Sequence, residues 1–128
     1  VYEHVAELVV RLGEGLTGKY GYSSVGAVVG ATFRSEGQRL RELMKGVYFL
    51  VPGYGAQGGT AEDAAVCFND DGLGAVINSS RGIIAAYKSE AYRERFSEKE
   101  FGLAAREAAI AMRHDINNEL AGTGKIAW

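Results

Sequence analysis

Val47–Asp63 reads VYFLVPGYGAQGGTAED: an apolar run, a glycine-rich loop and a helix start. The run Val47–Val51 predicts a buried strand, and Thr60 with Asp63 has the spacing of a capping box that opens a helix. Glycines allow the backbone to approach a ligand closely, and the N-terminus of a helix carries a partial positive charge. The stretch therefore predicts an anion site between a strand and a helix.

A second segment of similar design, Gly74–Arg81, reads GAVINSSR. Parallel folds place ligand-binding groups at the carboxyl ends of strands, so we expect the two loops to face one ligand. Gln57 is a long polar side chain that no tight turn requires, and Arg81 adds a fixed positive charge. With the N–H groups of Ser79 and Ser80, these side chains predict an anion clamp.

The remaining elements alternate between helix and strand. Helices are predicted over Val1–Leu12, Glu36–Lys45, Thr60–Asn69, Ile83–Ser89 and Ser97–Leu120, and strands over Val25–Val29, Val47–Val51 and Leu73–Ile77. Further capping boxes are read at Ser35 with Gln38 and at Ser97 with Glu100. The longest helix is expected to bury Phe101, Ala105, Ala108, Met112 and Ile116. The tail, residues 122–128, is expected to be loosely held.

Alternation of this kind favours right-handed parallel units in an α/β protein. Apolar residues at both parities of the last two strands indicate burial on both faces of the sheet. Three strands make a small sheet, however, and both outer strands keep open edges, which natural proteins avoid. The pattern therefore indicates part of a larger assembly.

Composition narrows the classes of protein. The 128 residues are 47% hydrophobic, which suits one compact domain. A net charge of −2 and a pI near 5.7 predict neither nucleic acid nor an anionic membrane surface as partner. Cys67 is the single cysteine, so an intrachain disulfide is excluded and a reducing, cytoplasmic location is expected. Neither a membrane-spanning run nor a signal peptide is read in the sequence.

Gly53, Gly55 and Gly58 also match G-x-G-x-x-G after a strand, which is the dinucleotide-binding fingerprint. The region about 20 residues onward offers Arg81, suited to a 2′-phosphate, and no acid for a ribose. Pro52 stiffens the entry to the loop, and the helix begins beyond the third glycine. An NADP-binding domain therefore stays open as a weaker alternative.

Other polar groups have simpler interpretations. Glu3 and Glu7 flank His4 on a helix face with no third ligand in view, so no metal site is predicted. His114 and Asp115 are assigned to the polar side of the last helix. The serines at 79 and 80 have no histidine at a spacing that indicates nucleophilic catalysis.

Three motifs together resemble one family. VVGAT at 28–32, LVPGYGAQGG at 50–59 and NSSRGII at 78–84 occur in the order and spacing of orotidine 5′-phosphate decarboxylases in their longer bacterial form. The resemblance extends over essentially the whole chain. It implies an α/β fold, a partial (β/α)₈ TIM barrel made of the last three strand–helix units with a preceding helix. Residues 1–128 would be the C-terminal phosphate-binding part, in agreement with the phosphate site such barrels carry after strands 7 and 8.

The resemblance also implies roles for residues. Gln57 would reach between the pyrimidine and the phosphate, and Pro52 would lie against the base. Arg81 would pair with the phosphate, helped by the N–H groups of Ser80 and Arg81, and Gly53, Gly55 and Gly58 would form the phosphate loop. Intact members of the family are cytosolic homodimers of pyrimidine synthesis. They convert orotidine 5′-phosphate to uridine 5′-phosphate and CO₂ without a cofactor.

The catalytic pattern of the family, D-x-K-x-x-D on an earlier strand, does not occur in this chain. None of its lysines, at positions 19, 45, 88, 99 and 125, has that pattern. No catalytic residue is therefore assigned, and the chain alone is predicted to be inactive. A stand-alone, non-catalytic phosphate-binding half-barrel that pairs with its own copy stays open as an alternative.

Overall fold

The computed structural model describes residues 1–55 and 57–128. Its elements, in chain order, are α1 (Tyr2–Leu12), β1 (Ala27–Val28), α2 (Arg34–Leu43), β2 (Phe49–Pro52), α3 (Ala61–Ala65), β3 (Ala75–Asn78), α4 (Ser80–Ile84) and α5 (Phe101–Gly122). Two short 3₁₀ helices, Ala86–Lys88 and Glu98–Glu100, lie between α4 and α5. None of the helices described is long and apolar enough to cross a membrane.

The three strands form one parallel sheet in the order β1-β2-β3. The predicted α/β order with a parallel sheet is thus confirmed. β1 is only two residues long, but its hydrogen bonds to the β2 side continue beyond it, since the Ala31 N–H donates to the Pro52 carbonyl at 2.9 Å. β2 and β3 both reach one residue further than predicted, to Pro52 and Asn78.

The helices cover one face of the sheet. The main core lies between this face, α1, α2 and the turn that follows α3, and its fully buried centre is formed by Phe49, Val51 and Cys67. A second cluster, formed by Ala61, Ala65, Ile116 and Leu120, packs α3 against α5, with Ile77 of β3 in contact with both clusters. The sheet is therefore held to α5 through α3.

The opposite face of the sheet is exposed. Val28, Leu50 and Val76 form one row across the three strands and are 71%, 46% and 57% exposed. The prediction that both faces are buried is wrong for the described residues. An apolar run in the sequence shows that a strand has two apolar faces. In the structure, the helices cover only one face of the sheet, and the other face is exposed.

Two of the three predicted capping boxes are present. Thr60 with Asp63 caps α3, and Ser97 with Glu100 caps the 3₁₀ turn that leads into α5. The box at Ser35 is wrong, because α2 begins at Arg34 and has no side-chain cap. The Gly37 N–H already bonds the Phe33 carbonyl at 2.9 Å, so Ser35 lies inside the first turn.

α3 ends at Ala65, four residues before the predicted Asn69. The carbonyls that would accept helical hydrogen bonds in a longer helix accept from side chains instead. Lys125 Nζ donates to Ala65 O and Phe68 O, at 2.9 and 2.7 Å, and Arg41 donates to Cys67 O at 3.2 Å. The chain turns there with tighter i→i+3 bonds, a common way to end a helix. Tertiary contacts therefore shorten this helix.

The same contacts correct the prediction of a loose tail. Lys125 is half-buried, and the Ile126 N–H donates to the Asp70 carbonyl at 3.0 Å. The side chain of Asn117 on α5 bonds the Trp128 carbonyl. The tail is thus tied to α5 and to the segment that leads into β3.

α5 buries a stripe that differs in part from the predicted one. Ala108 and Ile116 are buried as expected, and Ala105 and Met112 are half-buried. Phe101 is 54% exposed, so its assignment to the stripe is wrong; Ala104 and Leu120 are buried instead. The helix turns the small residues Ala104 and Ala108 toward Ala86 of the 3₁₀ segment.

Candidate functional site

The carboxyl ends of β2 and β3 lie side by side. Pro52 is the register partner of Asn78. The glycine loop after β2 and the serine–arginine segment after β3 therefore leave the sheet at the same end of the strands. The structure thus brings together the two loops that the sequence predicted to share a ligand. Their proximity follows from parallel pairing of consecutive strands with short connections.

A small cavity of about 70 Å³ lies between the two loops. It is lined by Pro52, Gly53, Tyr54, Gln57, Asn78, Ser79, Ser80, Arg81 and Gly82. Pro52, Gln57, Ser80 and Arg81, the four predicted substrate-binding residues, are all in this lining, as is Gly53. Complete small-molecule sites commonly enclose about 300–1,000 Å³, so this cavity has the size of a subsite for one polar group.

The glycine loop adopts a conformation that only glycine takes readily. Gly53, Gly55 and Gly58 have φ of +106°, +74° and +91°. Gly59 is fixed for another reason: a Cβ there would lie 2.7 Å from the Gly53 carbonyl oxygen. Gly53 lines the cavity, whereas Gly55 and Gly58 build the loop around it without lining it.

Much of the hydrogen-bonding capacity of the loop is used internally. The Gly55 N–H donates to Gly59 O, the Gly58 N–H to Gly55 O and the Gly59 N–H to Gly53 O, at 2.8–2.9 Å. These three N–H groups are therefore not available to an anion. The loop forms a wall of the cavity more than a set of donors, which differs from the role that its glycine content suggested.

The N-terminus of α3 is likewise occupied. The Asp63 carboxylate accepts from the Thr60 N–H at 2.9 Å and from the Thr60 hydroxyl at 2.8 Å, and the Thr60 hydroxyl accepts from the Asp63 N–H. The two bonds to the carboxylate lower the pKa of Asp63, so it stays charged at the end of the helix where an external anion would otherwise bind. The helix start after the glycine loop is therefore self-capped.

Donors for an anion come instead from the segment after β3. Ser79 precedes α4, and the N–H groups of Ser80 and Arg81 belong to the first helical turn, which has no carbonyl partners within the helix. Arg81 is exposed and is the only charged side chain among the described residues of the lining. Gln57 faces it from the other loop. Together they form a monovalent cationic subsite with amide donors.

Sequence analysis missed Tyr54 and its contact with Asp115, which lies on the exposed side of α5 as predicted. The Tyr54 hydroxyl donates to Asp115 Oδ2 of α5 at 2.6 Å, and the Tyr54 carbonyl accepts from Ser79 Oγ at 3.3 Å. Burial, followed by the hydrogen bond to Asp115, raises the pKa of Tyr54 above its ordinary value. The one signal in the sequence was the presence of a large aromatic residue between two loop glycines.

The arrangement can bind but lacks a group for proton transfer. The described residues of the cavity lining include no lysine, carboxylate or histidine that could act as acid or base at the ligand. Lys125, which is half-buried, donates to two backbone carbonyls near the amino-terminal ends of the strands, away from the cavity. The expectation that chemistry is supplied from elsewhere therefore stays a prediction.

A larger groove, of about 700 Å³, lies at the amino-terminal ends of the strands, where β2 and β3 begin. Its cationic side chains include Arg41 and Lys125, which are already bonded to backbone carbonyls. The groove is thus large, but these two cations bind backbone carbonyls and are not available to a ligand. The small cavity, which Arg81 and Gln57 both line, is therefore the candidate binding site.

The acidic residues of α1 act within the fold. Glu3 accepts from Arg39 of α2 at 2.8 Å, and this contact lowers the pKa of the Glu3 carboxyl. His4 contacts Glu7 at 3.4 Å, and both are exposed. Among residues 1–55 and 57–128, no group of three or more potential ligands is placed to hold a metal ion.

Comparison with known proteins gives this geometry a context. A curated orotidine 5′-phosphate decarboxylase from Clostridium acetobutylicum is 48% identical to the chain over 120 residues. A second, from Petrotoga mobilis, is 44% identical over 119 residues. These matches cover 94% and 93% of the chain but only 40% and 39% of the relatives. The chain matches the C-terminal portion of orotidine 5′-phosphate decarboxylases.

Solved structures agree with this assignment. A Toxoplasma gondii protein described as an orotidine-monophosphate decarboxylase superposes with a TM-score of 0.69 at 25% identity, over 96% of the chain and 42% of its own. UMP synthase from Leishmania donovani gives a TM-score of 0.58 at 32% identity, over 90% of the chain and 22% of its own. No protein-family model matches the chain.

The open sheet agrees with the fold of these structures. The three parallel strand–helix units of the chain correspond to part of a (β/α)₈ barrel, as predicted. In such a barrel the helices cover the outer face of the strands, and side chains from the inner face fill the interior. The exposed row of Val28, Leu50 and Val76 lies on that inner face. The cavity with Arg81 lies at the carboxyl ends of the strands, which is the face where barrel enzymes place their active sites.

Proposed function

We propose that this chain is the phosphate-binding part of an orotidine 5′-phosphate decarboxylase, a carbon–carbon lyase of pyrimidine synthesis. The observation that carries the proposal is the convergence of Gln57 and Arg81 on one subsite-sized cavity between two strand ends. Similarity to decarboxylases over 94% of the chain supports the substrate class. The ligand is then orotidine or uridine 5′-phosphate, held chiefly by its phosphate.

Within this proposal each residue has a distinct task. Arg81 pairs with the phosphate together with the N–H groups of Ser80 and Arg81. Gln57 reaches between the phosphate and the pyrimidine, and Pro52 lies against the base. Phosphate binding remote from the reacting carbon contributes to transition-state stabilisation, since binding energy there helps to position the base. The proton donor comes from the part of the barrel that bears the lysine–aspartate motif.

Binding measurements on the 128-residue chain test the first half of the proposal. We expect uridine 5′-phosphate to bind more tightly than uridine, and Arg81→Gln to weaken the binding of the nucleotide by roughly tenfold to a hundredfold, because a charge-assisted hydrogen bond is lost. Arg93→Gln is the matched control, since it removes the same charge from an exposed position outside the cavity. Equal affinities for the nucleotide and the nucleoside would contradict the proposal.

A chimera tests the second half. In it, this chain replaces the matching segment of the Clostridium acetobutylicum relative, which supplies the rest of the barrel. We expect the 128-residue chain alone to give no turnover of orotidine 5′-phosphate, and the chimera to release CO₂. Turnover by the isolated chain would overturn the assignment of catalysis to the other part of the barrel. A folded chimera that binds uridine 5′-phosphate but does not turn over would overturn the proposed function.

The exposed inner face favours one further candidate, a half-barrel that pairs with its own copy. Val28, Leu50 and Val76 would then be buried between two copies, and both would bind phosphate without catalysis. Sedimentation of the chain distinguishes the two cases. A concentration-dependent dimer that Leu50→Lys dissociates would favour pairing, and a monomer with unchanged sedimentation in Leu50→Lys would exclude it.

A further inference from the structure

We propose that Asp115 is a positioning residue of the binding site, which acts through Tyr54. By holding the Tyr54 hydroxyl, it sets the place of the glycine loop and hence the distance between Gln57 and Arg81. This inference rests on the proposed function, because it concerns the same phosphate subsite. It adds a contact from α5, an element that contributes no residue to the lining of the cavity.

The first step is the anchoring of Tyr54. Its ring is half-buried and packs on the cluster of Ala61, Ala65, Ile116 and Leu120 between α3 and α5. Its hydroxyl donates to Asp115 Oδ2 at 2.6 Å, within the range of short hydrogen bonds to carboxylates. Tyr54 is thereby fixed at two points, one apolar and one polar, to a helix of 22 residues.

The second step is the link from Tyr54 to both loops. Tyr54 lies between Gly53 and Gly55, both of which have positive φ, so its backbone fixes the start of the glycine loop. Its carbonyl accepts from Ser79 Oγ at 3.3 Å, and Ser79 immediately precedes α4, which bears Arg81. A displacement of Tyr54 therefore moves the loop with Gln57 relative to the segment with Arg81.

The third step is the physical need for such an anchor. Glycines at positive φ give the loop its shape but leave it more conformational freedom than other residues would. The internal bonds among Gly53, Gly55, Gly58 and Gly59 hold the loop compact without fixing it to α5. Misplacement of a positioning group by about 1 Å can cost an enzyme about a hundredfold in rate, so we expect an outside anchor to have a measurable effect.

The test compares Asp115→Asn, Tyr54→Phe and the double variant with the unchanged 128-residue chain, by titration with uridine 5′-phosphate and with uridine. We expect each single variant to weaken nucleotide binding by about tenfold, the scale of one charge-assisted hydrogen bond, and the double variant to be no weaker than either. Binding of uridine, which lacks the phosphate, is expected to weaken much less than binding of the nucleotide. Asp115→Glu is expected to restore most of the affinity.

Glu119→Gln is the control, because it removes the same charge from α5 one turn further along. It is expected to leave the affinity unchanged. Variants that bind the nucleotide as the unchanged chain does would overturn the inference. So would an equal loss for nucleotide and nucleoside, which indicates general disruption. If the unchanged chain itself fails to prefer the nucleotide, the proposed function fails, and this result is distinct from failure of the variants.

The chimera gives a second readout that does not depend on the isolated chain. There, Asp115→Asn is expected to raise the KM for orotidine 5′-phosphate by about tenfold, since the residue acts on the phosphate subsite. The unfolding temperature of the chimera and Glu119→Gln serve as controls. A fall in kcat with unchanged KM would contradict a positioning role.

Discussion

Arg41 is the most buried charged side chain among the described residues, with 5% of its surface exposed. Its guanidinium donates to the carbonyls of Cys67, Gly74 and Val47 at 3.2, 2.9 and 2.8 Å, and also to that of Met44. It stacks on the Phe49 ring, 4.0 Å from the centroid, which adds a cation–π contact. Burial lowers the pKa of Arg41, but arginine stays charged in this setting. Arg41 thus joins several backbone segments near the amino-terminal ends of the strands.

This environment predicts a large loss of stability for Arg41→Lys. A lysine keeps the charge but cannot serve four carbonyls in one plane. We expect the free energy of unfolding to fall by about 3 kcal/mol or more, since each hydrogen bond from a charged donor contributes about 1.5–3 kcal/mol. Arg39→Lys, two positions earlier and exposed, is the control and is expected to cost less than about 1 kcal/mol. Urea unfolding measures both, and equal losses would contradict the structural role of Arg41.

The same residue shows how a residue type can mislead. Arginine at position 41 reads as the polar side of a helix, and sequence analysis assigned it no role. Arg81, by contrast, was singled out because it follows an apolar strand, and it does line the cavity. Position after a strand is a local signal, whereas burial of Arg41 depends on carbonyls up to 33 residues away.

At the scale of elements, two of the three capping boxes correctly predicted where a helix begins. Thr60 with Asp63 and Ser97 with Glu100 form as predicted because their hydrogen bonds join residues three apart. The box at Ser35 does not form because α2 begins one residue earlier, at Arg34. The carbonyls at the end of α3 bond the side chains of Lys125 and Arg41, which come from distant parts of the chain.

The box at α3 predicts a pH-dependent contribution to stability. The fold lowers the pKa of Asp63, chiefly through the hydrogen bond from the Thr60 backbone. The stabilisation is therefore complete above the unfolded pKa of about 3.9 and is lost as the pH falls through the lower folded value. We expect Asp63→Asn to reduce stability near neutral pH, and the difference from the unchanged chain to shrink below about pH 4.

Thermal unfolding between pH 3 and 7 measures this difference. Glu14→Gln is the control, because it removes a carboxylate from an exposed position after α1. A constant difference between Asp63→Asn and the unchanged chain across this range would show that the carboxylate charge does not stabilise the cap.

At the scale of the whole molecule, apolar surface is left uncovered on two sides. One is the inner face of the sheet. The other is α1, whose apolar stripe includes Val5, Leu8 and Leu12, exposed by 55%, 48% and 59%. Only Ala6 of α1 is buried. Patches of this kind mark interaction surfaces. The chain spans about 40% of the length of the decarboxylase relative from Clostridium acetobutylicum.

Cys67 offers a measure of how firmly the described part of the molecule is held together. It is 1% exposed at the centre of the main core, and burial raises the pKa of its thiol to about 11. We expect a thiol reagent at pH 8 to modify native Cys67 at least a hundredfold more slowly than the unfolded chain, since the thiolate is both rare and inaccessible. Glu90→Cys, which adds an exposed thiol, is expected to give one fast and one slow equivalent. Fast modification of Cys67 would mean that the core opens readily.

The sequence by itself determined the order of helices and strands, the parallel sheet, two helix caps and the pair of loops with Gln57 and Arg81. These features depend on residues a few positions apart or on periodic patterns. Only the tertiary structure decided that α3 ends at Ala65, that Arg41 is buried, and that Val28, Leu50 and Val76 are exposed. It also decided that Tyr54 meets Asp115, 61 residues onward. No local pattern encodes that contact, because it forms only when α5 packs on α3 beside the glycine loop.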